Sequence, residues 1–153
     1  MNALTSWGII FLLALLDQAS KKLVLHSIPF QESVPVIPGF FNLTHLYNTG
    51  AAFGMLHDSN IFFIIVSAIA FIALVVMKRH FGGVMMHWGW VLLLSGIIGN
   101  VTDRVLHGHV IDFLDFQFGN YHWPSFNLAD SSICIAAGIF LLSSFRGQAT
   151  KQQ

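Results

Sequence analysis

Four apolar stretches dominate the chain, at about residues 4 to 24, 60 to 78, 84 to 105 and 126 to 146. Each is close to the roughly 20 residues that a helix needs to cross a 30 Å hydrocarbon core. The second is uncharged from Ile61 to Met77. A chain of 153 residues exposes a large share of its surface, and here only 9% of residues are charged while 55% are apolar. Soluble proteins carry about 25% charged residues. Covering the surface with Leu, Ile and Phe works only when the surrounding solvent is lipid. The expected fold is an α-helical integral membrane protein with four transmembrane helices, one membrane-embedded domain over residues 1–153.

The seven basic and seven acidic residues balance, so no basic face is available to displace counterions from a nucleic acid. The single Cys134 lies in an apolar run and excludes an internal disulfide and any CxxC motif. Trp7 to Leu16 resembles the apolar part of a secretory signal. Met1 to Ser6, however, lacks Lys and Arg, and no small-x-small cleavage site follows, so an uncleaved first span is expected.

Four spans put both termini on one side. Lys78, Arg79, Arg146 and Lys151 then share that side, against Lys21, Lys22 and Arg104 on the other, a bias that places the termini in the cytoplasm. The outer loop between the first two spans contains Pro29, Pro35, Pro38 and Gly39, followed by the strand-favouring run Phe40 to Tyr47. Between the last two spans, Val110 to Phe118 alternates in the same way. A small β-layer on the outer membrane surface is expected. The tail from Gly147 to Gln153 is polar and expected to fray.

Seven acidic residues are few enough to weigh singly, because an ionisable group at membrane depth is by default a candidate site. Glu32 and Asp58 read as solvated loop charges. Asp17 shares a helix face with Ser20 and Lys21, which supports either an Asp17–Lys21 pair near the outer interface or a part in a site. In Gly96 to Arg104, Ser95, Gly96 and Gly99 permit a close helix contact. Asn100 and Arg104 project from one face there, where Arg104 either snorkels to headgroups or belongs to an oriented polar surface. Asp112 and Asp115 stand an odd number of residues apart on the alternating segment, so they face opposite sides of a strand. Asn127 precedes Asp130 by one turn and is also a natural N-cap.

A serine protease needs a base beside its serine, and Ser95 has no such neighbour and no Gly-x-Ser-x-Gly setting. The eight His include no His-Glu-x-x-His, and most read as loop or interface residues. Two carboxylates sharing one proton remain, one acting as base on water while the other donates to a carbonyl oxygen. Periodicity leaves several pairings open among Asp103, Asp112, Asp115 and Asp130.

Five segments resemble the ordered motifs of the lipoprotein signal peptidases, or signal peptidase II. They are Asp17-Gln18-Ala19-Ser20-Lys21, Asn48-Thr49-Gly50-Ala51-Ala52-Phe53, Gly96-x-x-Gly99-Asn100-x-x-Asp103-Arg104, Val110-Ile111-Asp112-Phe113 and Phe126-Asn127-Leu128-Ala129-Asp130. The resemblance implies an aspartic endopeptidase of the bacterial inner membrane that removes prolipoprotein signal peptides before a diacylglyceryl-modified Cys. It places the catalytic dyad at Asp112 and Asp130, surrounds it with Asn48, Asn100, Arg104 and Asn127, and adds Asp17 and Lys21 from the first span. The implied partners are the prolipoprotein signal peptide and membrane lipid; a monomer without cofactor or metal is expected. The rival is a small proton- or cation-coupled transporter subunit, which accounts for Asp17, Asp103 and Asp130 but not for Asp112 in an external segment.

The charge bias predicts topology. A reporter fused after Gln153 should read as cytoplasmic, and reporters near Glu32 or Asn120 as periplasmic. A periplasmic C-terminus would put the carboxylates on the wrong leaflet.

Overall fold

A computed structural model describes residues 2–50 and 59–149, with backbone only for 146–149. Ala51 to Phe53 of the second motif, Asp58 and Lys151 lie outside the described residues. Four long helices carry the chain: α1 (Ala3–Ser27), α2 (Asn60–Val76), α3 (Val84–His107) and α4 (Leu128–Ala149). Four strands form the sheet: β1 (Ser33–Ile37), β2 (Phe41–Asn48), β3 (Val110–Phe118) and β4 (Tyr121–His122). The helices follow the apolar stretches, with α1 and α4 each running three residues past the expected end and α3 two, so that the backbone of Gly147 to Ala149, expected to fray, is helical. A single turn of 3-10 helix, Lys78–His80, links α2 to α3.

Helix α3 is the axis of the bundle, packed against α1, α2 and α4. Its sequence allows this because small residues fall where a neighbour approaches. A Cβ on Gly96 would sit 2.5 Å from the Ala129 carbonyl oxygen and 2.6 Å from Ile133 Cγ1. One on Gly99 would sit 2.6 Å from Asp17 Oδ2 and 2.9 Å from the Ala129 Cβ. Helix α1 turns a single stripe inward, Ser6, Ile10, Ala14, Asp17, Lys21 and Val24, at steps of three and four residues. The upper part of that stripe packs Ile10 on Trp90, Val91 and Leu94. The Trp90 indole N–H donates to the Leu74 carbonyl (2.8 Å), so a large ring is buried without an orphaned donor.

Outside this seam the helices are clothed in exposed Leu, Ile, Val and Phe, and α2 buries none of its residues. Two helical segments, Val84–His107 and Leu128–Phe145, are long and apolar enough to cross a membrane, while Asn60–Val76 is a shorter apolar helix.

The sheet runs β1-β2-β3-β4, antiparallel throughout. The alternating segments form β2 and β3, in register from Phe41 opposite Phe116 to Asn48 opposite Val110, with an irregularity between Leu43 and Leu46. Two strands were not evident in the sequence. Strand β1 contains Pro35, which belongs on a sheet edge because it lacks a ladder donor, and β1 is the edge strand. Strand β4 is two residues long. The sheet is joined to the helices beneath by Val24, Ile28 and Phe113.

Most histidines are expected in loops or at interfaces, and His45 is one that is not. It is buried on β2 and its Nδ1 donates to the Ile28 carbonyl (2.8 Å), tying the sheet to the end of α1.

The α3–α4 approach sets an expectation. Gly96→Ala must displace a backbone carbonyl and should cost about 1–3 kcal/mol. Gly138→Ala, with nothing within 4 Å of the added Cβ, should be neutral or slightly stabilising. Thermal unfolding of both variants in detergent checks the contrast, and equal melting temperatures would show that α3 and α4 are not in backbone contact.

Candidate functional site

The amides around Asp112 and Asp130 make one connected cluster. Asp112 lies on β3 opposite Leu46, which leaves Asn48, at the end of β2, to donate from Nδ2 to Asp112 Oδ2 (2.9 Å). Asn48 is held in turn because its Oδ1 accepts from the Gly50 N–H (3.0 Å). Asn127 precedes α4 and is fully buried. Its Oδ1 accepts from the Asp130 N–H (2.9 Å), satisfying a donor of the first helical turn. Its Nδ2 donates to Asp112 Oδ1 (2.8 Å). The capping role and a part in the cluster, weighed as alternatives from sequence, are filled by one side chain. Asp130 closes the loop, its Oδ2 accepting from the Asn127 N–H (3.3 Å) and its Oδ1 from Asn100 Nδ2 (2.7 Å).

Beneath this cluster lies an ionic one. The Lys21 ammonium contacts Asp17 Oδ2 and Asp103 Oδ2, each at 2.8 Å, and donates to Asn100 Oδ1 (3.2 Å). All three charged side chains are almost fully buried. The other carboxylate oxygens are also occupied. Asp17 Oδ1 accepts from the Ala129 N–H (2.9 Å), and Asp103 Oδ1 accepts from Gln18 Nε2 (2.7 Å). The pairing of Asp17 with Lys21 is present, buried within the bundle and part of a triad. Asp103 completes that triad and Gln18 bonds to it; Gln18 carried no separate signal, since its partner stands 85 residues away.

Arg104 is nearly buried rather than reaching for headgroups. Its guanidinium lies over the Phe63 ring, 4.4 Å from the centroid, and Nη2 donates to the Gly50 carbonyl (3.0 Å). Nη1 is buried without a hydrogen-bond partner among the described residues. Asn60 at the start of α2 donates to the Arg104 carbonyl (3.0 Å), so Asn60 and Phe63 bracket the residue.

Asp115 stands apart. It accepts from Asn42 Nδ2 (2.8 Å) and contacts His122 Nδ1 at 3.0 Å, linking β2, β3 and β4. Among the described residues no three His, Cys, Asp or Glu side chains converge as metal ligands.

Electrostatically, Asp112 is the most perturbed group outside the helices. Burial, followed by the negative charge of Asp130, pushes its carboxyl up to about 7, against the donors Asn48 and Asn127 and the cation of Lys21. Two neighbouring carboxylates can share one proton, one then able to act as a base beside an acid.

Residues 9–146 match the family described as signal peptidase (SPase) II. The chain is 43% identical over 151 residues to a lipoprotein signal peptidase of Janthinobacterium sp. (strain Marseille), covering 95% of this chain and 91% of that one. It is 40% identical to one from Syntrophotalea carbinolica (strain DSM 2380 / NBRC 103641 / GraBd1), covering 94% of each. The fold superposes on a bacterial membrane enzyme solved by the in meso method at 2.3 Å resolution, with a TM-score of 0.90 and 35% identity over 97% of this chain and 92% of that one. A second such enzyme, at 1.9 Å resolution, gives a TM-score of 0.78 with 36% identity over 92% of each chain.

A raised carboxyl makes a stability prediction whose sign is fixed. The folded protein holds the Asp112 proton more tightly than the unfolded chain does, so this contribution is complete below the ordinary carboxylate range and is lost as pH rises through about 7. The melting temperature in detergent should therefore fall more between pH 5 and pH 8 for the wild type than for Asp112→Asn. Parallel curves would remove the coupling.

Proposed function

The chain belongs to the signal peptidase II family, and we propose that it is a membrane-embedded aspartic endopeptidase in which Asp112 and Asp130 are the catalytic pair. Its substrate is the signal peptide of a diacylglyceryl-modified prolipoprotein, cleaved before the lipidated Cys. The observation that carries this reading is that one residue holds both carboxylates: the Asn127 side-chain amide donates to the buried Asp112 carboxylate and accepts from the Asp130 N–H, while the Asn127 backbone N–H donates to the half-buried Asp130 carboxylate.

In the reaction, the ionised member of the pair takes a proton from water as the water oxygen attacks the scissile carbonyl carbon. The protonated member gives its proton to the carbonyl oxygen, and a gem-diol forms. On collapse, the first carboxyl protonates the leaving nitrogen, the second recovers a proton from one diol hydroxyl, and the C–N bond breaks. The pair returns to its starting state. Asn48, Asn100 and Asn127 fix the carboxylates through this cycle. Arg104, whose Nη1 has no hydrogen-bond partner among the described residues, supplies a charged donor to a peptide carbonyl or a headgroup oxygen of the substrate. Asp17 and Lys21 support the site from below.

All four helices span the bacterial inner membrane in this reading, with both termini cytoplasmic and the sheet on the periplasmic surface. Asp112 lies just beyond α3, and Asp130 just inside α4. Both then sit near the outer leaflet boundary, the depth at which the cleavage site of an inserted signal peptide lies. A substrate entering sideways keeps its acyl chains in hydrocarbon, whereas extraction would cost about 0.8 kcal/mol per CH₂. The protein acts as a monomer without cofactor. The transporter alternative finds no support in the relatives, which are peptidases by name.

The test is cleavage of a lipid-modified prolipoprotein by the purified protein in detergent, read as shortening by a signal peptide's length. Asp112→Asn and Asp130→Asn should each abolish it while leaving folded protein, because an amide neither takes a proton from water nor shares one. Asp115→Asn should retain substantial cleavage. A dead Asp115→Asn at equal folded protein would count against the pair.

A further inference from the structure

The two carboxylates of the pair are held by similar amides, yet those amides are not anchored alike. Around Asn100 the donors and acceptors admit one orientation. Its Oδ1 faces two donors, Lys21 Nζ at 3.2 Å and Asn127 Nδ2 at 3.3 Å, while its Nδ2 faces Asp130 Oδ1 at 2.7 Å. Reversing the amide would set its NH₂ against an ammonium and another NH₂, and a carbonyl oxygen against a carboxylate. Every one of these contacts would become repulsive. Lys21 in turn cannot shift, because its remaining donors are taken by Asp17 and Asp103. Asp130 Oδ1 therefore always meets a donor backed by a full positive charge one amide away. On Asp112 the Lys21 charge acts less directly, since Asn48 on its Oδ2 side is oriented by a neutral backbone N–H from Gly50 and Asn127 on its Oδ1 side by the Asp130 N–H.

We infer that Lys21, acting through Asn100, is a positioning residue that assigns the negative charge of the pair to Asp130 and the shared proton to Asp112. The inference rests on the dyad reading above and adds the division of labour within it. Asp130 is the base that takes the proton from water, and Asp112 is the acid that delivers its proton to the carbonyl oxygen. The other charged groups facing the pair are Asp17 from α1, and Asp103 and Arg104 from α3. Arg104 acts electrostatically on both members of the pair, so it does not by itself choose between them. The high carboxyl of Asp112 beside a negative Asp130 agrees with the same division.

The experiment is the pH dependence of kcat/KM for the full chain in detergent with a lipid-modified prolipoprotein. In this scheme the acid limb reports loss of the charge on Asp130, and the alkaline limb reports loss of the proton on Asp112. Lys21→Gln should move the acid limb up by about one pH unit, with a smaller move of the alkaline limb. Asp103→Asn leaves Lys21 less neutralised, so it should move the acid limb down. A purely structural role for Lys21 would lower kcat/KM without moving either limb. If Lys21→Gln does not fold, the direction of the shift in Asp103→Asn decides alone. Unmoved acid limbs, or an alkaline limb that moves more than the acid limb, would overturn the inference. Should Asp112→Asn or Asp130→Asn still cleave, the dyad itself fails. With both of those dead and the limbs unmoved, only the role of Lys21 fails.

Discussion

The placement of a single ammonium group organises this protein. Lys21 has three N–H donors, and it meets three acceptors that come from two helices: Asp17 on its own helix, and Asp103 and Asn100 on α3. Burying an ion costs several kcal/mol unless its partners are close and fully bonded, which makes the arrangement all or nothing. Each carboxylate then spends its spare oxygen on another element. Asp17 accepts from the first turn of α4, and Asp103 accepts from Gln18 on α1 and from the Ile111 N–H on β3. Through one buried charge, the start of β3 and the start of α4 are fixed relative to each other, and those are the segments that carry Asp112 and Asp130.

Low charge content gives this arrangement its specificity. In a bundle whose exteriors are apolar, association of helices gains little from hydrophobic burial against lipid, and close packing and polar contacts decide which faces meet. Gly96 and Gly99 allow α4 and the Asp17 carboxylate to approach α3, and the polar network then admits one register. A shift of α4 by a single residue would separate Asp17 from the Ala129 N–H, Asn100 from Asp130, and Asn127 from Asp112 together.

The helices, the strand Val110–Phe118 and the separation of Asp112 from Asp115 were legible in the sequence because each depends on periodicity, a local property. What joins them was not. Sequence spacing showed Asp17 and Lys21 as neighbours on one helix turn, yet it could not show Asp103 arriving from α3 to convert a pair into a triad. Gln18 looked like any polar residue next to a carboxylate, since its role is set by a contact across the bundle. Pro35 was read only as a residue of the outer loop, and it fits a strand because the edge position of β1 removes the need for its missing N–H. His45 lies in the strand-favouring run, but its burial and its contact with the Ile28 carbonyl at the end of α1 depend on a residue 17 positions away. The motif resemblance brought Asp112 and Asp130 together on paper, and the amide of Asn127 gives a physical reason for their proximity.

The bracket around Arg104 belongs to an element unlike the others. Helix α2 buries none of its residues and rests on α3, whereas α1, α3 and α4 are stitched by the buried network. Cooperative units of a protein open in the order of their buried contacts, so α2 is the segment that hydrogen exchange should find loosest. The guanidinium therefore has its backbone on the most rigid helix and its ring platform, Phe63, on the most labile one. Its stem is fixed while its aim follows α2. On the proposed reading, such a joint would let one cation keep its depth in the bilayer while accommodating signal peptides of differing bulk.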